Sequence, residues 1–179
     1  MFSSSDYLNP KAIREEAGFS ADMIVGDFGC GSGYKTFAAS EIVGRHGAVY
    51  AVDILKSPLE HIRSQASERG ITNVKTVWSN LEILGATKIQ DQSLDAGLLV
   101  NVLFMSTEHR GVLTEVRRML KNGALLLIIE WKSIATPFGP PLSVRVPKND
   151  IKNLLADMGF NRIKEFDPSG YHYALLYRA

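Results

Sequence analysis

Apolar and polar positions along this chain switch period again and again. Five short β-rich runs stand out: Met23–Phe28, Val49–Asp53, Asn73–Trp78, Asp95–Phe104 and Ala124–Trp131. The fourth is apolar almost without a break, as expected of a central parallel strand buried on both faces. Longer amphipathic segments separate the runs. Tyr34–Val43 reads as a helix stopped by Gly44. Ser57, Pro58 and Glu60 form a capping-box signature for a second helix that Gly70 closes. Ser106–Leu120 puts Val112, Leu113, Val116, Met119 and Leu120 on one face and ends at Gly123. Ile151, Leu154, Leu155 and Met158 mark a further helix, stopped by Gly159.

Strands alternating with helices predict an α/β fold in which helices cover both faces of a mostly parallel sheet. The C-terminal part departs from that rhythm. Thr136–Pro141 carries three prolines and a glycine, which neither a helix nor a strand ladder can propagate. Arg162–Phe166 and Tyr171–Tyr177 are strand-like, and Asp167-Pro168-Ser169-Gly170 between them is too short for a helical crossover. They must therefore pair as an antiparallel hairpin.

The first run ends in an acid and opens into alternating glycines: Asp27-Phe28-Gly29-Cys30-Gly31-Ser32-Gly33. Glycine is required where φ is positive or where a ligand must touch the main chain, because a Cβ blocks both. The second run also ends in an acid, Asp53, about 20 residues further on, where a neighbouring parallel strand delivers a carboxylate to ribose hydroxyls. Together these features define a nucleotide-cofactor loop. The spacing is G-x-G-x-G, with Tyr34 where a dinucleotide fingerprint has its third glycine, which argues against a nicotinamide-dependent oxidoreductase.

Composition narrows the picture further. The chain has 179 residues, the size of one domain, and 45% apolar residues suffice for a core. With 20 basic and 19 acidic residues it carries a net charge of +1 and shows no strong nucleic-acid signal; Arg117, Arg118 and Lys121 read as a solvated helix face. Cys30 is the one cysteine, and no apolar run is long enough to cross a membrane, so a cytoplasmic location is expected. Cys30 reads as a small residue packed between glycines rather than as a nucleophile. Four scattered histidines, with no clustered carboxylates, predict no metal site.

The glycine loop with its preceding Asp27 resembles motif I of the class I S-adenosylmethionine-dependent methyltransferases. Leu98–Phe104 followed by Val112–Gly123, Glu130-Trp131-Lys132 and Phe138-Gly139-Pro140-Pro141 are similar to the ubiquinone and menaquinone biosynthesis type. The resemblance covers roughly residue 9 to the C-terminus. It implies a three-layer Rossmann-like α/β fold: a seven-stranded sheet, mostly parallel, ending in a C-terminal antiparallel hairpin, as one domain over residues 1–179.

It also implies S-adenosylmethionine as cofactor, bound by Asp27, Phe28, Gly29, Cys30, Gly31 and Gly33 of the loop, by Asp53 and Ile54, by Asn80 and Leu81, and by Asn101. In the family the first acid faces the cofactor's ammonium and the second binds its ribose. After the third strand relatives have Gly-Asp, the Asp accepting a bond from the adenine amino group, whereas this chain reads Ser79-Asn80-Leu81. An amide oxygen still accepts that bond, more weakly. Asn101 is expected over the methionine part of the cofactor or the methyl-transfer site.

A methyltransferase acting on a small-molecule acceptor is the expected function, with a non-catalytic binding module of the same fold as the alternative. Candidate general bases are His109, His172, Tyr7 and Glu130, with His109 and His172 expected to face solvent. Phe2–Tyr7 and the Ser133–Arg145 loop would build a small acceptor cleft; otherwise the cleft is open to a macromolecule or is completed by a second subunit in a homodimer. The lack of a three-cysteine set argues against arsenic methylation. Asn101-Val-Leu-Phe is not the tetrapeptide of adenine or glutamine amide methylation.

Overall fold

The computed structural model describes residues 15–179. Tyr7 and the Phe2–Tyr7 half of the expected acceptor cleft lie outside the described residues. The elements in chain order are β1 (Ile24–Phe28), α1 (Tyr34–Val43), β2 (Ala48–Asp53), α2 (Lys56–Glu68), β3 (Val74–Trp78), β4 (Leu94–Val100), α3 (His109–Met119), β5 (Leu120–Trp131), α4 (Lys148–Asp157), β6 (Asn161–Ser169) and β7 (His172–Arg178). They form one seven-stranded sheet of order β3-β2-β1-β4-β5-β7-β6. The first five strands are parallel, and β7 inserts antiparallel between β5 and β6.

Side chains alternate across this sheet as the pleat dictates. Val25, Val49, Ala96, Leu98, Leu127 and Ile129 face one side, with Ala38, Ala39, Ile42 and Val43 of α1. Phe28, Val52, Leu99, Leu126 and Ile128 face the other, with Val112, Leu113, Val116 and Met119 of α3 and Ile151 and Leu155 of α4. Phe28 explains two glycines in the strands. Gly26 and Gly97 are paired neighbours, and a Cβ on either would fall within 3 Å of the Phe28 ring.

No helix joins β3 to β4. Turns span residues 79–93, held from α3 by a buried ion pair. Glu115 accepts the N–H groups of Gly85 and Thr87, and Arg118 donates to the carbonyls of Thr87 and Ile89 and to Asp91. Burial would raise the Glu115 carboxyl, but the Arg118 guanidinium and the two backbone N–H groups bring it down to about 2. A carboxylate and a guanidinium thus satisfy the backbone polar groups that a helix would have satisfied internally.

Several boundaries differ from the sequence expectation, among them the start of β5 at Leu120, which places Gly123 inside the strand instead of at a helix end, and the reach of β6 over Asn161–Ser169. The capping box at Ser57 does not form: α2 starts at Lys56 with Leu55 as N-cap, because Asp53 Oδ1 accepts the Leu55 N–H at 2.9 Å and turns the chain earlier. β4 stops at Val100 instead of reaching Phe104, since Asn101 adopts φ +56°. α3 starts at His109, after Ser106 Oγ accepts the Glu108 N–H at 2.9 Å and donates to Glu82 at 2.6 Å.

Candidate cofactor site

The parallel strands β1, β2 and β4 end side by side, and their C-terminal turns enclose a cavity of about 630 Å³. Ligands of open α/β sheets bind at this edge, where successive strand-end turns diverge. Of the residues expected from sequence, Asp27, Gly29, Cys30, Gly31, Asp53, Ile54, Asn80, Leu81 and Asn101 line it. Phe28 and Gly33 do not. Phe28 is fully buried beneath the sheet, because a residue next to inward-facing Asp27 must point to the opposite face. Gly33 is the N-cap of α1 with φ +81°, and a Cβ there would meet Ile62 at 2.6 Å, so it serves helix packing.

The three loop glycines have separate reasons. All have positive φ, but a Cβ on Gly29 would strike Val102 at 2.4 Å, whereas one on Gly31 would meet nothing within 4 Å. Gly31 thus opens onto the cavity, where a ligand can approach the main chain. Its N–H donates to Asp53 Oδ2 at 3.0 Å. With Leu55 on Oδ1, each Asp53 oxygen holds one backbone N–H, and Oδ1 keeps a lone pair for a further donor. The thiol of Cys30 lies 3.9 Å from the same Oδ2, and burial pushes it well above the usual thiol range, as befits a packed residue and not a nucleophile.

Asp27 is 2% exposed and accepts a 2.6 Å bond from Thr36 Oγ1. Burial raises its carboxyl to about 6, against the pull of Thr36 and Lys35. Lys35 was not singled out from sequence, although it stands at the start of the helix that follows the glycine loop; it lines the cavity, and burial lowers it to about 8. Ser79 also lines the cavity, tied to Thr87 at 3.0 Å, so the clamped 79–93 segment forms one wall. Asn80 Oδ1 accepts the Glu82 N–H at 2.9 Å, a turn bond that leaves its second lone pair for a ligand.

The three candidate bases among the described residues, His109, His172 and Glu130, do not line the cavity. Glu130 is fully buried and bonds the N–H groups of Val102 and Leu103. His172 is 3% exposed, not solvent-facing: its ring packs 4.1 Å from that of Trp131 and contacts Ser169 Oγ, and burial lowers it to about 4. His109 is half-buried, with Nε2 3.0 Å from the Leu103 carbonyl, so it too differs from the exposed residue expected. In the Ser133–Arg145 loop, Arg145 is 7% exposed and donates to the carbonyls of Lys132, Ile134, Phe138 and Pro140, clasping the loop from inside.

A buried carboxylate, an open glycine, a half-exposed aspartate and an amide around one cavity fit a cationic nucleoside cofactor. The comparisons with known proteins agree. Residues 19–154 match the methyltransferase domain family, and the chain belongs to it. Within that family it stands among the class I S-adenosylmethionine-dependent methyltransferases, as the sequence resemblance implied.

Among curated relatives it is 39% identical over 117 residues to aklanonic acid methyltransferase DauC of Streptomyces sp. (strain C5), covering 64% of this chain and 52% of that one. It is 31% identical over 145 residues to the ubiquinone/menaquinone biosynthesis C-methyltransferase UbiE of Shewanella piezotolerans, covering 80% and 51%. The chain spans about half the length of these relatives. A methyltransferase structure from Aquifex aeolicus superposes with a TM-score of 0.88 at 24% identity over 97% of this chain and 90% of that one, which establishes the fold.

Proposed function

We propose that the chain transfers the methyl group of S-adenosylmethionine to a small organic acceptor. The observation that carries this reading is Gly31, whose missing Cβ opens the main chain to the cavity while its N–H anchors Asp53. Asp53 would hold the ribose hydroxyls, Asn80 and Leu81 the adenine, and Asp27, Gly29 and Asn101 the methionine end. Phe28 and Gly33 are left out of this set. The two named relatives, one a methyltransferase of aklanonic acid and the other of quinone biosynthesis, support an acceptor of small-molecule size.

Bound adenosylmethionine supplies a methyl group on a sulfonium, a leaving group that needs no protein nucleophile. What the chain contributes is position. Leu55, Pro58, Leu81, Val100, Val102, Met105 and Val112 give the cavity apolar walls. Asp27 supplies a buried negative charge for a cationic ligand, and such a charge acts more strongly there than in water. His109, His172 and Glu130 are committed to structural bonds, so the reading assigns no general base; rate enhancement comes from holding acceptor and methyl group together.

Among the described residues no helix is long and apolar enough to cross a membrane. Titration calorimetry with adenosylmethionine, adenosylhomocysteine and NAD tests the cofactor: the first two bind and NAD does not. Release of labelled methyl across a panel of phenols, carboxylic acids and quinols then tests the acceptor class. Cofactor binding with no transfer to any small molecule would leave only the fold's binding function.

A further inference from the structure

At the end of β4 the chain needs a hydrogen-bonding partner that the sheet no longer provides. Val100 pairs with Ile129 of β5, and the Asn101 N–H still reaches the Ile129 carbonyl at 2.8 Å. Asn101 then turns to φ +56°, and the next two N–H groups point away from the β5 main chain. The Glu130 side chain takes them both: Oε1 accepts from Val102 at 2.7 Å and from Leu103 at 2.6 Å. A carboxylate thus continues the ladder where the backbone has left it.

The turn held in this way is a wall of the cavity. Asn101, Val102 and Met105 line it, and Val102 Cγ2 stands where a Cβ on Gly29 would be, 2.4 Å from the ideal position. The glycine loop and the β4 turn are therefore fitted to each other, and His109 Nε2, 3.0 Å from the Leu103 carbonyl, braces the turn from α3. Glu130 itself is 0% exposed and touches no part of the cavity. Burying a carboxylate costs several kcal/mol unless it is well bonded, and a neutral side chain would fill the same volume at lower cost.

We propose that Glu130 is a positioning residue for the cofactor, fixing the Asn101–Leu103 turn against Gly29 so that the cavity wall has its binding shape before the ligand arrives. This rests on the reading of the cavity as the adenosylmethionine site. Glu130 makes no contact with ligand or acceptor; it acts through Asn101 and Val102.

Three variants and one ligand test it. Glu130→Gln keeps an oxygen at the same reach, Glu130→Leu removes the acceptor at similar volume, and Leu127→Ala perturbs the same buried strand on the opposite face, in a core cluster that holds neither Val102 nor Leu103. Each is followed by thermal unfolding without ligand and by calorimetric titration with adenosylhomocysteine. The expected result is affinity within about threefold of the parent for Glu130→Gln and a loss of about tenfold to a hundredfold for Glu130→Leu. Leu127→Ala is expected to lose thermal stability while keeping its affinity.

Should Glu130→Leu not fold, Glu130→Asp, one methylene too short to reach both N–H groups, gives the same reading: weaker binding, with faster hydrogen exchange at Val102 and Leu103. A folded Leu or Asp variant that binds like the parent overturns the proposal and leaves Glu130 a purely structural acid. A parent protein that binds no adenosylhomocysteine overturns the cofactor reading beneath it, a result visible before any substitution is made.

Discussion

The N–H of Gly31 donates to Asp53 Oδ2 at 3.0 Å, joining the crown of the glycine loop to the end of the neighbouring strand. The bond spans two parallel strand ends, so the loop and the carboxylate cannot move independently. Asp53 is thereby presented to the cavity with both oxygens already oriented, and a ligand that bonds it has little side-chain entropy left to remove.

The loop glycines should separate by variant. Gly31→Ala places a methyl in open space at φ +50°, so the fold should lose only about 1–2 kcal/mol while adenosylmethionine affinity collapses. Gly33→Ala collides with Ile62 and should chiefly lower the unfolding temperature, whereas Gly29→Ala collides with Val102 of the cavity wall and should lower both the unfolding temperature and the affinity. Thermal melts paired with titrations check this. Unchanged affinity in Gly31→Ala would remove the cradle from the site.

Asp53 is expected to carry the ribose. Charge-assisted hydrogen bonds contribute roughly 1.5–3 kcal/mol, so Asp53→Ala should weaken adenosylmethionine by about tenfold to a hundredfold or more, since the Gly31 and Leu55 N–H groups also lose their acceptor. A 2′-deoxy analogue should show a comparable loss against the parent protein. Equal binding of analogue and cofactor would refute the assignment.

At Asn80 a carboxylate would keep the bond to the Glu82 N–H and offer a charged acceptor on its remaining lone pairs. Asn80→Asp should therefore tighten adenosylmethionine by roughly 1 kcal/mol, about fivefold. Inosyl analogues, which lack the adenine amino group, should gain nothing. An equal gain for both ligands would mean that Asn80 reads something other than the amino group.

Cofactor binding should depend on pH through Asp27. Burial holds its carboxyl at about 6, above the ordinary 3.8, so in the ligand-free protein its stabilising share is complete below 3.8 and lost as pH rises through 6. A bound cation favours the ionised form, so binding should release a proton and tighten as pH goes from about 5 to about 7. Asp27→Asn should flatten that rise. Glu130, raised by burial to about 7, faces Tyr173 and adds its own step, which the Asp27→Asn protein should retain. Calorimetry in two buffers of different ionisation enthalpy counts the protons, and a flat profile in the parent would refute the role of Asp27.

The order of strands and helices, the terminal hairpin and the cofactor loop were legible in the sequence because each is a local property. Periods of 2 and 3.6 report which face is buried, glycines report positive φ, and an acid at the end of an apolar run reports a strand end facing a ligand. The same local rules put Asp27, Gly31 and Asp53 in one cavity once the strands were known to be parallel.

Partners drawn from distant parts of the chain were decided only by the tertiary structure. Glu130 looked like a candidate base and proved to be the brace of a turn 28 residues away. His172 looked solvent-facing on an alternating strand, but it is buried, its ring packed against that of Trp131 on the neighbouring strand β5. Phe28 does not line the cavity because the pleat sends its side chain opposite to Asp27, and Lys35 lines it because α1 begins there. A sequence fixes which conformations each residue tolerates; which buried donor meets which acceptor depends on strand order and crossover, and no local pattern carries those.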